Sequence, residues 1–178
     1  MPTQRRSGFR RSFEEAPIKR FALVLALVLA SALPRAALAV PKVGQPAPAF
    51  SLPNVDGRTV TLAALKGKPL YLNFFATWCV PCNEEAPVIG KLSEKYRARG
   101  LTVLGVNELE DPAKAKEFLS KYHLAYSAVV DGDGTMGKDY GAIGLPVHIF
   151  IDRSGIVKTY RLGEMDGNEI ESAIKGIL

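Results

Sequence analysis

Apolar residues fall along this chain in blocks, and the spacing within each block predicts an element. Residues 49–52 (Ala-Phe-Ser-Leu) and 58–61 (Arg-Thr-Val-Thr) are short alternating runs on either side of Asn54-Val55-Asp56-Gly57, the pattern of a β-hairpin. Residues 70–75 (Leu-Tyr-Leu-Asn-Phe-Phe) are almost continuously apolar, as in a strand buried on both faces. From Asn83 to Arg99 the period becomes helical, with Val88, Leu92 and Tyr96 on one face and a kink expected at Pro87. A second buried strand is predicted over 101–106. Asp111-Pro112 then reads as an N-cap and first helical position, opening a helix to about His123. A strand over 126–130 and a short helix or turn over 135–140 follow. Residues 147–151 and 156–162 are strands joined by Asp152-Arg153-Ser154-Gly155, and 166–177 is a last helix with Asp166 and Glu169 spaced as a capping box. Strands alternating with helices imply an α/β fold with crossovers, and the closing hairpin makes its sheet mixed.

The first 39 residues follow a different pattern. Six basic residues lie in positions 1–20, Phe21–Leu33 carries no charge, and Pro34 and Arg35 precede Ala37-Leu38-Ala39. A basic region, a short apolar core and an A-x-A site predict a secretory signal peptide over 1–39, cleaved before Val40. An uncleaved anchor is the alternative, although the apolar run is shorter than the ~20 residues of a full span. The twin arginines are a weak export signal, because Glu14 and Glu15 separate them from the apolar core. Residues 40–48, with Pro41, Pro46 and Pro48, form a Pro-rich lead-in, and one domain is expected over 49–178.

Removing the leader changes the charge. Of 23 basic and 18 acidic residues, seven and two respectively fall in 1–39, so the remainder carries 16 of each sign. The basic balance therefore belongs to the leader, and nothing in it points to nucleic acid. The remaining length suffices for a core without covalent staples. The only two cysteines, Cys79 and Cys82, are too close for their bond to close a stabilising loop, so reactivity explains them better than stability.

Their position is informative. Trp78-Cys79-Val80-Pro81-Cys82 lies at the exit of a buried strand and opens a helix, where backbone N–H groups and the helix dipole favour a thiolate. Cys79, at the turn, is expected to be the more exposed and the nucleophile. Cys82, a turn further in, is expected to resolve the mixed disulfide. Pro81 stiffens the turn, and no histidine lies between the cysteines to stabilise the thiolate further. A zinc site would need His123 and His148, whose separation does not suit one. His148 is expected to point to one sheet face without a chemical role, and His123 to end its helix. Trp78 either forms an apolar wall for a partner or packs on the sheet.

The segment Asn73 to Pro87 (Asn-Phe-Phe-Ala-Thr-Trp-Cys-Val-Pro-Cys-Asn-Glu-Glu-Ala-Pro) resembles the active-site segment of extracytoplasmic thioredoxin-like reductases of the TlpA/ResA/CcmG kind. The resemblance extends to the Gly57 hairpin, Gly67-Lys68-Pro69, the helical stretch from Asp111 to Tyr122, and Gly144-Leu145-Pro146. It implies a thioredoxin fold with an N-terminal hairpin and a central insert. It implies a protein-disulfide reductase that needs no cofactor and acts on protein thiols and disulfides of exported clients, such as apocytochrome c in cytochrome c maturation. A reductant outside the cytoplasm implies in turn a membrane electron donor of the DsbD/CcdA kind. Asn73 stands where thioredoxin itself has a buried acid, and the resemblance assigns that function to Glu85, three residues after Cys82. An ordinary solvated helix glutamate is the alternative for Glu85, and Glu84 is expected to be one. The resemblance also implies a cis Pro146 facing the cysteines, with the Leu145 backbone free to pair with an extended client. Otherwise Pro146 merely begins a strand.

Two rivals share the fold. A copper metallochaperone has soft thiolates, but in the carriers compared three residues separate the cysteines and a histidine is added. A peroxiredoxin-like peroxidase places Pro-x-x-x-Thr-x-x before its cysteine, and Leu72 and Ala76 stand at those places before Cys79.

Overall fold

The apolar run Leu70–Phe75 becomes the central strand β3, with all six residues buried. It is covered on both faces because helices pack on one side and the N-terminal hairpin with a short helix on the other. The computed structural model describes residues 40–178. The predicted leader, its cleavage site and the twin arginines lie outside the described residues.

In chain order the elements are β1 (Ser51–Pro53), β2 (Thr59–Thr61), a 3-10 turn (Ala63–Leu65), β3 (Leu70–Phe75), α1 (Val80–Arg97), β4 (Thr102–Glu108), α2 (Pro112–Lys121), β5 (Ser127–Asp131), α3 (Thr135–Asp139), β6 (Val147–Ile151), β7 (Val157–Leu162) and α4 (Gly167–Lys175). The five-stranded sheet runs β5-β4-β3-β6-β7. β3, β4 and β5 are mutually parallel, while β6 pairs antiparallel with both β3 and β7. This is the mixed sheet of a thioredoxin fold. β1 and β2 form a separate hairpin, whose turn is held by the Asn54 side chain accepting from the N–H groups of Asp56 and Arg58. Gly57 closes it at φ +80°, a conformation glycine adopts without steric cost. Residues 44–47 of the lead-in run alongside Gly155–Val157, with backbone bonds from Gly44 and Ala47 to Val157 and Gly155.

The two-residue period of β3 separates the core. Leu70, Leu72 and Phe74 face Leu104, Val106, Val129, Val147 and Ile149 together with Met136 and Tyr140 of the α3 region. Tyr71 faces the other way, with Phe150, and meets Ile89 and Leu92 of α1 and Ile170 and Ile174 of α4. Phe75 packs with both cysteines, Ala86 and Phe118. β4 carries a glycine under that ring: a Cβ on Gly105 would meet Phe75 Cε1 at 2.9 Å and the Ala128 methyl at 3.1 Å.

The helices follow the sequence signals with one shift. α1 begins at Val80, three residues before the expected Asn83, so Cys82 lies inside it. It continues through Pro87, which lacks the N–H that would bond to the Asn83 carbonyl. Asp111 caps α2 and Asp166 with Glu169 forms the full capping box of α4. His123 follows the end of α2 at φ +52°. Among the described residues no helix is long and apolar enough to cross a membrane.

Candidate active site

β3 ends at Phe75 and the chain turns at Ala76–Trp78 into α1, which places Cys79 at the helix N-cap. Its side chain accepts a hydrogen bond from the Cys82 N–H at 3.3 Å. An N-terminal N–H aimed at sulfur stabilises the thiolate more than the thiol. The two cysteines form a disulfide, with Cα atoms 5.3 Å apart. The expected difference in exposure is absent: Cys79 and Cys82 are each 3% exposed. Cys79 Sγ turns inward to bond Cys82 and cap the helix, and both residues pack with Ala76, Ala86 and Phe118. What distinguishes them is their place on the helix.

The turn that carries Cys79 is held from two sides. Asn83 Nδ2 donates to the carbonyls of Thr77 and Cys79 at 3.0 and 2.7 Å, while Asn83 Oδ1 accepts from the Tyr122 hydroxyl of the α2 end. From β4's side, Glu110 accepts from the Thr77 N–H at 2.8 Å, from the Thr77 hydroxyl and from Asn107 Nδ2. Sequence reading missed Glu110 and Asn83, because nothing local ties residue 110 to residue 77.

Trp78 is 68% exposed and does not pack on the sheet; Val80 is similarly open. Leu145 packs against the cluster that contains both cysteines. The Leu145–Pro146 peptide is cis. Among the described residues, the Leu145 amide and carbonyl enter no backbone–backbone hydrogen bond, whereas the Pro146 carbonyl accepts from Gly163. Trp78 thus adjoins Cys79 along the chain, and Leu145, next to the buried Pro146, packs against the cysteine cluster.

Glu85 shares the buried face of α1 with Cys82, Ala86 and Ile89, one helical turn beyond Cys82. Glu84 is exposed. Glu85 Oε1 accepts from the Met165 N–H at 2.6 Å. Glu85 Oε2 faces His148 Nε2 across 3.4 Å. Burial pushes the Glu85 carboxyl up from its ordinary value of 4.5 to about 7, against the Met165 N–H, which lowers it, and with Glu164 raising it further. Burial pushes His148 down to about 4, opposed by the Gly163 carbonyl and aided by Arg161. Asn73, in the register position opposite His148, is buried and does not titrate.

A disulfide at the N-terminus of a helix, at the exit of the central strand of a thioredoxin fold, defines a thiol–disulfide oxidoreductase. The chain belongs to the redoxin family, whose profile matches residues 42–178. It is 40% identical over 126 residues to the thiol:disulfide interchange protein DsbE of Pseudomonas fluorescens biotype C, covering 70% of this chain and 68% of that one. It is 33% identical over 136 residues to the thiol-disulfide oxidoreductase ResA of Bacillus thuringiensis subsp. konkukian, covering 76% and 79%. A secreted disulfide oxidoreductase of Mycobacterium tuberculosis, homologous to E. coli DsbE, superposes with a TM-score of 0.66 at 26% identity, over 71% of this chain and 95% of that one.

Proposed function

We propose that this protein reduces disulfides of exported proteins, with Cys79 as the attacking thiol, Cys82 as the resolving thiol and Glu85 as the acid–base group beside Cys82. The observation that carries the reading is the pair's position: Cys79 at the N-cap under the Cys82 N–H, with a buried carboxyl one turn further along the same face.

The steps follow from this arrangement. The Cys79 thiolate attacks a client disulfide, forming a Cys79–client bond and releasing one client thiolate. Cys82 gives its proton to Glu85 and attacks Cys79 Sγ. The Cys79–client bond breaks, and its electron pair leaves with the second client sulfur. Two electrons pass to the client, and the protein is left with its Cys79–Cys82 disulfide. Glu85 suits the proton step because a carboxyl titrating near 7 can both take and return a proton at neutral pH. Exposed Trp78 and partly buried Leu145, with Pro146 beneath, form the client surface. The unpaired Leu145 amide and carbonyl suit addition of an extended client strand.

The site of action is outside the cytoplasm. This rests on the leader pattern over residues 1–39, with the lead-in over 40–48 and the domain over 49–178, and N-terminal sequencing of exported protein should begin at Val40. The clients are apocytochrome c or related assembly proteins, and a membrane donor of the DsbD/CcdA kind restores the dithiol. No histidine separates the cysteines, so the thiolate lacks the stabilisation of strong oxidants. The potential should lie nearer about −270 mV than about −120 mV.

Trapping tests this reading. Cys82→Ser should accumulate a mixed disulfide through Cys79 with an exported thiol protein, and Cys79→Ser should accumulate none. A Cys82→Ser protein that captures nothing, or a wild type substantially reduced in mildly oxidising glutathione buffer, would overturn the reductase reading.

A further inference from the structure

Behind Glu85 lies a buried side-chain chain that the disulfide chemistry above does not use. His148 has no exposed surface, and its ring lies between Glu85 of α1 and Tyr71 of β3. The Tyr71 hydroxyl is 2.8 Å from Nδ1, and Asn73 Nδ2 is 3.5 Å from the same nitrogen. Tyr71 is itself fully buried, and burial holds its phenol well above the ordinary range, so it stays a hydroxyl. Asn73 Nδ2 is only ever a donor. A neutral imidazole carries one hydrogen; where the Tyr71 hydroxyl donates to Nδ1, that hydrogen belongs on Nε2. Nε2 lies 3.4 Å from Glu85 Oε2, and both atoms are buried without a formed hydrogen bond.

We infer that His148 is a positioning residue for Glu85: held by the Tyr71 hydroxyl with its hydrogen on Nε2, it donates toward Glu85 Oε2 and holds that carboxyl in the basic form that accepts the Cys82 proton. The inference rests on the reading of Glu85 as the acid–base group. The 3.4 Å separation exceeds the usual limit of about 3.2 Å for a formed bond, and contacts of this kind tighten as reaction proceeds. With Oε1 held by the Met165 N–H, a donor at Oε2 fixes both oxygens of the carboxylate. The proton balance is simple. The Cys82 S–H bond breaks, a Glu85 O–H bond forms, and the imidazole stays neutral throughout.

Other groups around the pair do not supply this donor. From β7, Arg161 opposes a charged ring, and the Gly163 carbonyl beyond that strand favours one. Glu164 repels the Glu85 carboxylate, and its neighbour Met165 contributes only a backbone N–H on Oε1. From the segment before β5, Tyr126 is buried and stays a phenol. Asn73 makes the arrangement possible: an acid at that position would accept from the ring and reverse the hydrogen placement.

Two kinds of measurement test this on the full oxidised and reduced protein. The chain has only two histidines, so ring-nitrogen NMR resolves His148 from exposed His123. The expected signal is neutral His148 with hydrogen on Nε2, its shift following a single titration near pH 7 that disappears in Glu85→Gln. In disulfide-exchange kinetics, His148→Phe should raise the midpoint of the pH profile by about one unit, because a lost donor to the carboxylate disfavours the charged form. Tyr71→Phe removes only a hydroxyl and should shift it the same way by a smaller amount; it keeps the test decisive if His148→Phe fails to fold. If Glu85→Gln slows exchange while the NMR signal ignores Glu85 and Tyr71→Phe leaves the profile unmoved, this inference falls and the Glu85 reading stands. If Glu85→Gln does not slow exchange at all, both fall.

Discussion

Two buried glutamates lie on opposite faces of the same sheet, and their surroundings differ. Glu85 faces Met165, just before α4, and His148 on the helical side. Glu108 ends β4 on the side of α3, opposite Asp131 at the end of β5. Each is less than a tenth exposed, and burial raises both: Glu85 to about 7 and Glu108 to about 8, the latter with help from Asp131. Their neighbours differ. Glu85 has a donor on one oxygen, an imidazole facing the other and Cys82 one turn away. Glu108 faces a second carboxyl, which already uses Oδ2 to hold the Gly137 N–H, and Glu108 Oε1 and Asp131 Oδ1 are left without partners. A raised carboxyl pKa therefore reports burial; the group's place relative to the cysteines decides whether the proton is useful.

The sharpest test of that difference is kinetic. Glu85→Gln should slow disulfide exchange by about a hundredfold, the usual contribution of a positioned acid–base group, and should remove the step near pH 7 from the profile of Cys79 alkylation. Glu108→Gln should leave both rate and profile unchanged. Equal effects of the two substitutions would break the comparison.

Next in size is the hold on the cysteine turn. Glu110→Ala removes the acceptor of three hydrogen bonds, from Thr77 N–H, Thr77 hydroxyl and Asn107, and leaves a backbone N–H beside Cys79's turn unpaired. It should cost about 1–3 kcal/mol of stability, read by denaturant unfolding, and slow exchange severalfold.

How much of this was legible in the sequence depends on how local each signal is. β3 was readable from six successive apolar residues, and the capping box of α4 from Asp166 and Glu169 alone. The cysteine pair announced its chemistry by standing between a buried strand and a helix. Glu85 was singled out mostly through resemblance, since its buried contacts with Met165 and His148 lie 80 and 63 positions away along the chain. For His148, alternation with Val147 and Ile149 said only that it points to one face of the sheet, and no pattern along β6 could indicate that α1 places a carboxyl there. Glu110 and the Glu108–Asp131 pair were unreadable for the same reason: the pairing of β4 with β3 brings Glu110 to Thr77, and its register with β5 sets Glu108 opposite Asp131.

A smaller effect separates the two glutamates through stability. Both have folded-state values above the ordinary 4.5, so each favours the folded state fully below about pH 4.5 and loses that contribution as pH rises through its folded value. The window closes at about 7 for Glu85 and about 8 for Glu108. Glu108→Gln should therefore raise the melting temperature at pH 9, by an amount equivalent to about 1–2 kcal/mol, as an amide also supplies a donor for Asp131 Oδ1. At pH 4.5 the same substitution should change little. A melting curve that shifts equally at both pH values would show that shape rather than charge governs this pair.

The smallest stability effect belongs to the surface that neither glutamate reaches. Trp78 is 68% exposed, so Trp78→Ala loses little packing and should alter stability by less than about 0.5 kcal/mol. Its position beside Cys79 gives it a different importance. With Cys79 as the proposed attacking thiol, an exposed aromatic beside it offers apolar contact area that a protein client would use and a small disulfide would not. Trp78→Ala should thus raise KM for a folded or unfolded protein disulfide severalfold while leaving kcat, and the rate with a small aromatic disulfide reagent, within about twofold. The pH profile should keep its step near 7, because Glu85 and His148 are buried while Trp78 stands open to solvent. A loss of rate with the small reagent as large as that with the protein would place Trp78 with the machinery that activates Cys79 instead of the surface that receives the client.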